Sequence, residues 1–177
     1  MIQDSKPSLD NNIITHPAHY IEGRVFEPIT IIEEFGLCHH LACVVKYIAR
    51  AGRKTSLLND LLKSQWYLDR EISRHQAGVE LCSAPLKRTP ELKVSAICED
   101  WKLSPHLTEV LSCILNYRLD LGQQQKFQWV RKNFQSSDSG ELLDGAFHLI
   151  TAREHLRMEI DAHTPKKAAL SDQGGSR

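Results

Sequence analysis

Apolar residues recur along this chain at helical spacing and almost never alternate as a strand would. Leu41, Val44, Val45 and Ile48 fall on one side of a helix predicted over residues 38–51. Before it, Ile29, Ile31, Ile32 and Phe35 trace a shorter helix. It is expected to start near Pro28, because proline suits a first turn, and to stop at Gly36. A third helix is predicted over about residues 57–75, with Leu57, Leu61, Leu68 and Ile72 facing inward. Gly78, Pro85 and Pro90 then mark 76–91 as a linker. Helical patterns resume at about 92–101, 104–119, 123–134 and 140–161. The prediction is an all-α fold of helical hairpins packed as a bundle. Its units are 15–75 and 92–161, between a polar, flexible N-terminus at 1–14 and a disordered tail at 162–177.

The two halves resemble each other. Glu34-Phe35-Gly36-Leu37-Cys38-His39-His40-Leu41 lines up with Asp100-Trp101-Lys102-Leu103-Ser104-Pro105-His106-Leu107. The register continues with Val44 on Val110, Val45 on Leu111 and Ile48 on Ile114. After an insertion of about fifteen residues, Asp60-Leu61-Leu62 matches Glu141-Leu142-Leu143, and Trp66-Tyr67-Leu68 matches Phe147-His148-Leu149. Any two amphipathic helix pairs align to some degree, so a degenerate duplication stands beside chance similarity. In this alignment the apolar positions persist and the polar ones do not. Lys46 meets Ser112, Tyr47 meets Cys113, Arg50 meets Asn116 and Lys63 meets Asp144. Chemistry is therefore expected within residues 16–70.

Composition narrows the field. The chain has 177 residues, with 22 basic and 22 acidic side chains that cancel. A balanced chain gives no reason for general nucleic-acid or membrane-surface binding, so any cationic site must be local. No apolar run reaches the roughly 20 residues of a membrane span, and the polar start lacks a signal peptide's apolar core. A cytoplasmic protein is expected. The cysteines, Cys38, Cys43, Cys82, Cys98 and Cys113, are odd in number and lack CxxC spacing. They read as reduced core residues.

The informative stretch is Lys46-Tyr47-Ile48-Ala49-Arg50-Ala51-Gly52-Arg53-Lys54, followed by Asp60-Leu61-Leu62-Lys63-Ser64-Gln65-Trp66-Tyr67-Leu68. His39, Cys43, Lys46 and Arg50 share one helix face, away from the apolar one. Asp60, Lys63, Ser64, Tyr67 and Glu71 share a face of the next helix. In an αα-hairpin the two faces can meet, and Lys and Arg would then grip phosphate as point charge and fork. Spacing alone favours a solvated face with ordinary intrahelical ion pairs over such a site. The P-loop, GxGxxG and HExxH patterns are absent. His39 and Cys43 have the spacing of two zinc ligands without a further pair. Glu33, Glu34 and Asp60 resemble the acidic positions of all-α nucleotide pyrophosphohydrolases, which hold magnesium, but no second pair of acids accompanies them.

His19-Tyr20, Glu27, Lys46-Tyr47-Ile48-x-Arg50, Lys54 and Asp60-Leu61-x-Lys63-x-x-x-Tyr67-Leu68 together resemble the phage and bacterial domain of unknown function 3310 family, over about residues 16–72. The bulky Val44 and Val45 stand where that family has a small residue. One member in short-tailed coliphages is a nucleotide kinase without a P-loop, acting on deoxynucleoside monophosphates. The resemblance implies a nucleotide or other small phosphate-bearing ligand, ATP as phosphate donor and a homo-oligomer. In that reading Lys46, Arg50 and Asp60 are catalytic, with Asp60 an orienter or base. His19, Tyr20, Lys54, Lys63 and Tyr67 bind substrate, and no metal is assigned. Replacing Lys46 and Arg50 by alanine is expected to abolish binding and leave the fold intact. The alternatives are a non-catalytic interaction module, binding a protein through Trp101, Trp129 and Phe134 of the second half, and metal-dependent pyrophosphate hydrolysis.

Overall fold

The computed structural model describes residues 17–54, 56–79, 91–134 and 146–165, with the backbone alone over 123–134. Among the described residues every regular element is a helix: α1 Ala18–Ile21, α2 Pro28–Glu34, α3 His39–Arg50, α4 Leu57–Gln76, α5 Val94–Trp101, α6 Pro105–Phe134 and α7 Ala146–His163. The fold class is the expected one. α2 begins at Pro28, and Gly36 (φ +55°) turns the chain out of it. The Leu37 N–H then closes on the Ile32 carbonyl at 3.0 Å, a left-handed cap that glycine enters at little cost. The inward residues of α3 are the predicted Leu41, Val44, Val45 and Ile48. On α4, Leu61, Leu68 and Ile72 are buried and Leu57 is half-buried.

Two expectations change. The break between 119 and 123 does not form, and α6 runs unbroken from Pro105 to Phe134. No proline lies in that stretch, and a single Gly122 costs a helix only about 1 kcal/mol. Trp101 is also not a docking aromatic. It is 4 % exposed, and its indole N–H donates to the Phe26 carbonyl at 2.8 Å. The side chains of Trp129 and Phe134, residues 1–14 and most of the linker and tail lie outside the described residues, as does Cys82. Cys38, Cys43, Cys98 and Cys113 are free thiols, and burial pushes the pKa of Cys98 and Cys113 up.

α3 and α4 form an antiparallel hairpin. Arg50 at the end of α3 meets Asp60 at the start of α4, while Cys38 and His40 at the start of α3 meet Glu71 far along α4. α6 and α7 form a second hairpin, tied by Ser104 to Glu159 and by Asp120 to His148. α4 packs on α7, and the short α2 and α5 cover the starts of α3 and α6. Ile31, Phe35, Val44, Leu68, Ile97, Leu111, Leu149 and Leu156 join in one hydrophobic core across both hairpins. Each fully buried aliphatic chain contributes roughly 1.5–3 kcal/mol to holding the hairpins together. Arg118 is fully buried as well, and its Nε donates to the Gly36 carbonyl at 3.0 Å.

Candidate anion site on the first hairpin

The turn between α3 and α4 sets the site. Gly52 takes φ +74°, which reverses the chain within a few residues of Arg50. Asp60 thereby lands in the first turn of α4, where a carboxylate is favoured by the helix dipole, directly under Arg50. Arg50 Nε and Nη2 both donate to Asp60 Oδ1, at 3.2 and 2.9 Å. Asp60 is fully buried and the Arg50 side chain is 12 % exposed. The second carboxylate oxygen, Oδ2, is buried and has no hydrogen-bond partner among the described residues. Burial opposes the charge on Arg50, but hydrogen bonds to Asp60 and Tyr20 outweigh it and raise its pKa. This guanidinium is therefore part of the fold. The expectation that removing Lys46 and Arg50 together leaves the fold intact is corrected, because the Arg50 change strands a buried carboxylate.

Above that pair, the ring of Tyr47 collects cations. The Arg50 guanidinium carbon lies 4.6 Å from its centroid, Lys46 Nζ 5.0 Å and Lys63 Nζ 5.8 Å. Tyr67 stacks on the same ring, with centroids 5.8 Å apart and planes 23° apart. The negative ring face offsets part of the repulsion among three like charges. Cys43 raises the pKa of the Tyr67 hydroxyl, with burial adding to it. Trp66 follows, 57 % exposed and edge-on to Tyr67 at 4.8 Å.

A second cationic edge faces α1. Ala18, His19, Glu22, Arg53 and Lys54 line an open depression. Arg53 fastens α1 to the hairpin turn by donating to the carbonyls of His19, at 3.1 Å, and Glu22. The pKa of His19 is lowered by burial first, then by Lys54, Arg50 and Arg53, with Asp60 opposing. The His19 ring packs on that of Tyr20, whose hydroxyl bonds Arg50. The eight predicted site positions thus line the α3–α4 hairpin and the α1 edge beside it, with Tyr67 reaching toward His39 and His40 and with Arg50 and Tyr20 joining the two edges.

The far end of the hairpin is different. Glu71, expected on the same face, is buried and accepts from Cys38 Sγ at 3.2 Å, with His40 Nδ1 at 2.7 Å. Ser64 is buried too and donates to the Val44 carbonyl. Among the described residues no three histidine, cysteine or acidic side chains stand in a geometry that holds a metal. Glu34 is engaged with the Glu91 backbone and Asp60 with Arg50, so these two acids serve different contacts. Sequence reasoning assigned no role to Tyr47, the centre of the cluster, or to Arg53. The signal for Tyr47 is its placement between Lys46 and Arg50.

Residues 14–69, under half of the chain, match the family described as a protein of unknown function (DUF3310). The resemblance seen in the residues holds over that segment. No curated protein and no solved structure matches the chain.

Proposed function

We propose that the segment matching that family binds a nucleoside phosphate. The observation that carries the reading is the Tyr47 ring, with Lys46, Arg50 and Lys63 within 6 Å of its centroid and Tyr67 stacked on it. In a chain of zero formal charge this is a local excess of cations over the single buried carboxylate of Asp60. Lys46 and Lys63 supply mobile ammonium groups, and Arg50, held flat by Asp60, offers the hydrogens that the carboxylate does not take. Trp66 and Tyr67 give a base an aromatic face.

Phosphoryl transfer from ATP to a nucleoside monophosphate is the finer form of this reading. It rests on two cationic edges, one at Tyr47 and one at the His19–Lys54 depression, that would take the phosphates of donor and acceptor. Such chemistry depends mainly on positioning and charge, which cations and a buried orienting Asp60 are suited to supply. The test is calorimetric titration of nucleoside mono- and triphosphates into wild type and Lys46→Ala/Lys63→Ala, of which Lys63 is exposed and Lys46 half-buried, neither paired with a buried carboxylate as Arg50 is. Affinity should fall at least about tenfold with an unchanged melting temperature. Equal affinity would sink the binding reading, and binding without ADP formation from ATP would sink the kinase form alone. A non-catalytic protein-binding role is the second reading, and the exposed Phe147 and Met158 on α7 favour it.

A further inference from the structure

The halves of the molecule touch each other reciprocally. Glu34 Oε1 accepts the Glu91 N–H at 3.1 Å, and Asp100 Oδ1 accepts the Val25 N–H at 2.9 Å. Glu34 aligns with Asp100, and Val25 aligns with Glu91 by the same register. Each half therefore offers the same carboxylate to the same backbone position of the other. Residue i of one unit meeting j of the other, and the counterpart of j meeting the counterpart of i, is what a two-fold axis between equivalent units produces.

The backbone repeats in detail. α2 and α5 begin at aligned residues, Pro28 and Val94, and so do α3 and α6, at His39 and Pro105. Leu37 N–H to Ile32 carbonyl at 3.0 Å is matched by Leu103 N–H to Cys98 carbonyl at 3.1 Å. Gly36 and Lys102 hold φ of +55° and +54° at the same place. Ile31 and Ile97, Phe35 and Trp101, Val44 and Val110, and Ile48 and Ile114 are buried in pairs.

The last helices need a different register from the one the sequence suggested. Cys38 Sγ meets Glu71 at 3.2 Å, and its aligned residue Ser104 meets Glu159 at 2.8 Å through Oγ. This equates Glu71 with Glu159, and Leu61, Leu68 and Ile72 then fall on Leu149, Leu156 and Ile160, all buried. The sequence alignment placed Leu68 on Leu149, off by about two helical turns. Leu61 and Leu68 meet leucines in both registers, but the sequence register sets Ile72 on Arg153, and the buried carboxylates agree with the structural one.

We propose that the second half takes the place of a partner subunit of like fold, and that it carries an emptied counterpart of the anion seat. The seat is formed by Ser112, Cys113 and Asn116 on α6 opposite His148, Thr151 and His155 on α7. These stand for Lys46, Tyr47, Arg50, Asp60, Lys63 and Tyr67. The contact between Arg50 and Asp60 has its echo one turn further along α6, where His148 Nε2 meets Asp120 at 2.8 Å. The correspondence stops past Asn116, because α3 ends at Arg50 while α6 continues. Without a lysine or an arginine, the second seat holds no phosphate, and one chain binds one ligand where the arrangement has two places.

The ligand part of this inference rests on the proposed binding at the first hairpin, so two readouts are paired. In the first, inorganic pyrophosphate is titrated calorimetrically into wild type and S112K/C113Y/N116R/H148D/T151K. One equivalent rising to two supports the inference, and one equivalent in a folded graft overturns it. The second uses no ligand. Melting temperatures of N116R, H148D and N116R/H148D close a double-mutant cycle. The double variant should melt about 5 °C above the additive expectation, as the introduced guanidinium and carboxylate pair. If wild type binds no pyrophosphate, the binding reading at the first hairpin fails and the cycle alone decides this one. Additive melting temperatures would then overturn it.

Discussion

Arg50 donates to Asp60 through two nitrogens onto a single oxygen, and the second oxygen of that carboxylate is buried with no partner among the described residues. The pair anchors the hairpin end from which every cation of the candidate site projects. Removing either partner leaves a charge stranded, and a broken buried pair typically costs about 3–5 kcal/mol. Arg50→Ala should therefore lower urea-unfolding stability by roughly 3 kcal/mol, and Asp60→Asn by a similar amount. A loss below about 1 kcal/mol in both would mean that the pair is dispensable to the fold.

His19 gives the site a pH dependence. Its folded pKa is lowered, by burial and then by Lys54, Arg50 and Arg53, so the unfolded chain holds the proton more readily. Stability from this group is full above its ordinary value of 6.5 and declines as pH falls through the lower folded pKa. A bound phosphate reverses the balance by favouring the imidazolium. Affinity for pyrophosphate should strengthen in wild type relative to His19→Gln as pH drops from 7 to about 5.5. Parallel affinity–pH curves for the two proteins would place His19 outside the ligand's reach.

Lys102 caps α5 with φ +54° and ψ +46°, a left-handed position where a side chain costs about 1 kcal/mol. Its side chain is exposed. Lys102→Gly should raise stability by up to about 1 kcal/mol, and Gly36→Ala at the aligned cap should lower it by about as much. Equilibrium denaturation of both reads the sign directly. A destabilising Lys102→Gly would show that the lysine makes a contact outweighing its strain.

Trp66 separates base recognition from phosphate grip. It is exposed, so Trp66→Ala should leave the melting temperature within a degree or two. Nucleotide affinity should fall by about 1–2 kcal/mol while pyrophosphate affinity stays constant. An equal loss for both ligands would mean that the ring braces Tyr67 rather than a base.

The sequence carried the helices wherever one apolar stripe recurred. The ends of α2 were readable because Pro28 and Gly36 have conformational demands of their own. α6 misled, since turn signals around Gly122 are local while a helix persists if nothing forbids it. The basic residues were readable as a motif, but whether they formed a site or a solvated face was not.

Tertiary structure decided which of these charges converge. Only the hairpin brings Asp60 beneath Arg50 and three cations around the Tyr47 ring, because that convergence depends on how two helices cross and not on spacing within either. It likewise decided the register of α4 against α7. Leu61 and Leu68 find leucines under a two-turn shift as well, whereas a buried carboxylate must find its hydrogen-bond partners. The chain by itself determined which residues are apolar, which are charged and where helices begin. Packing determined which charges meet, because desolvation and hydrogen-bond geometry act only once the surfaces are in contact.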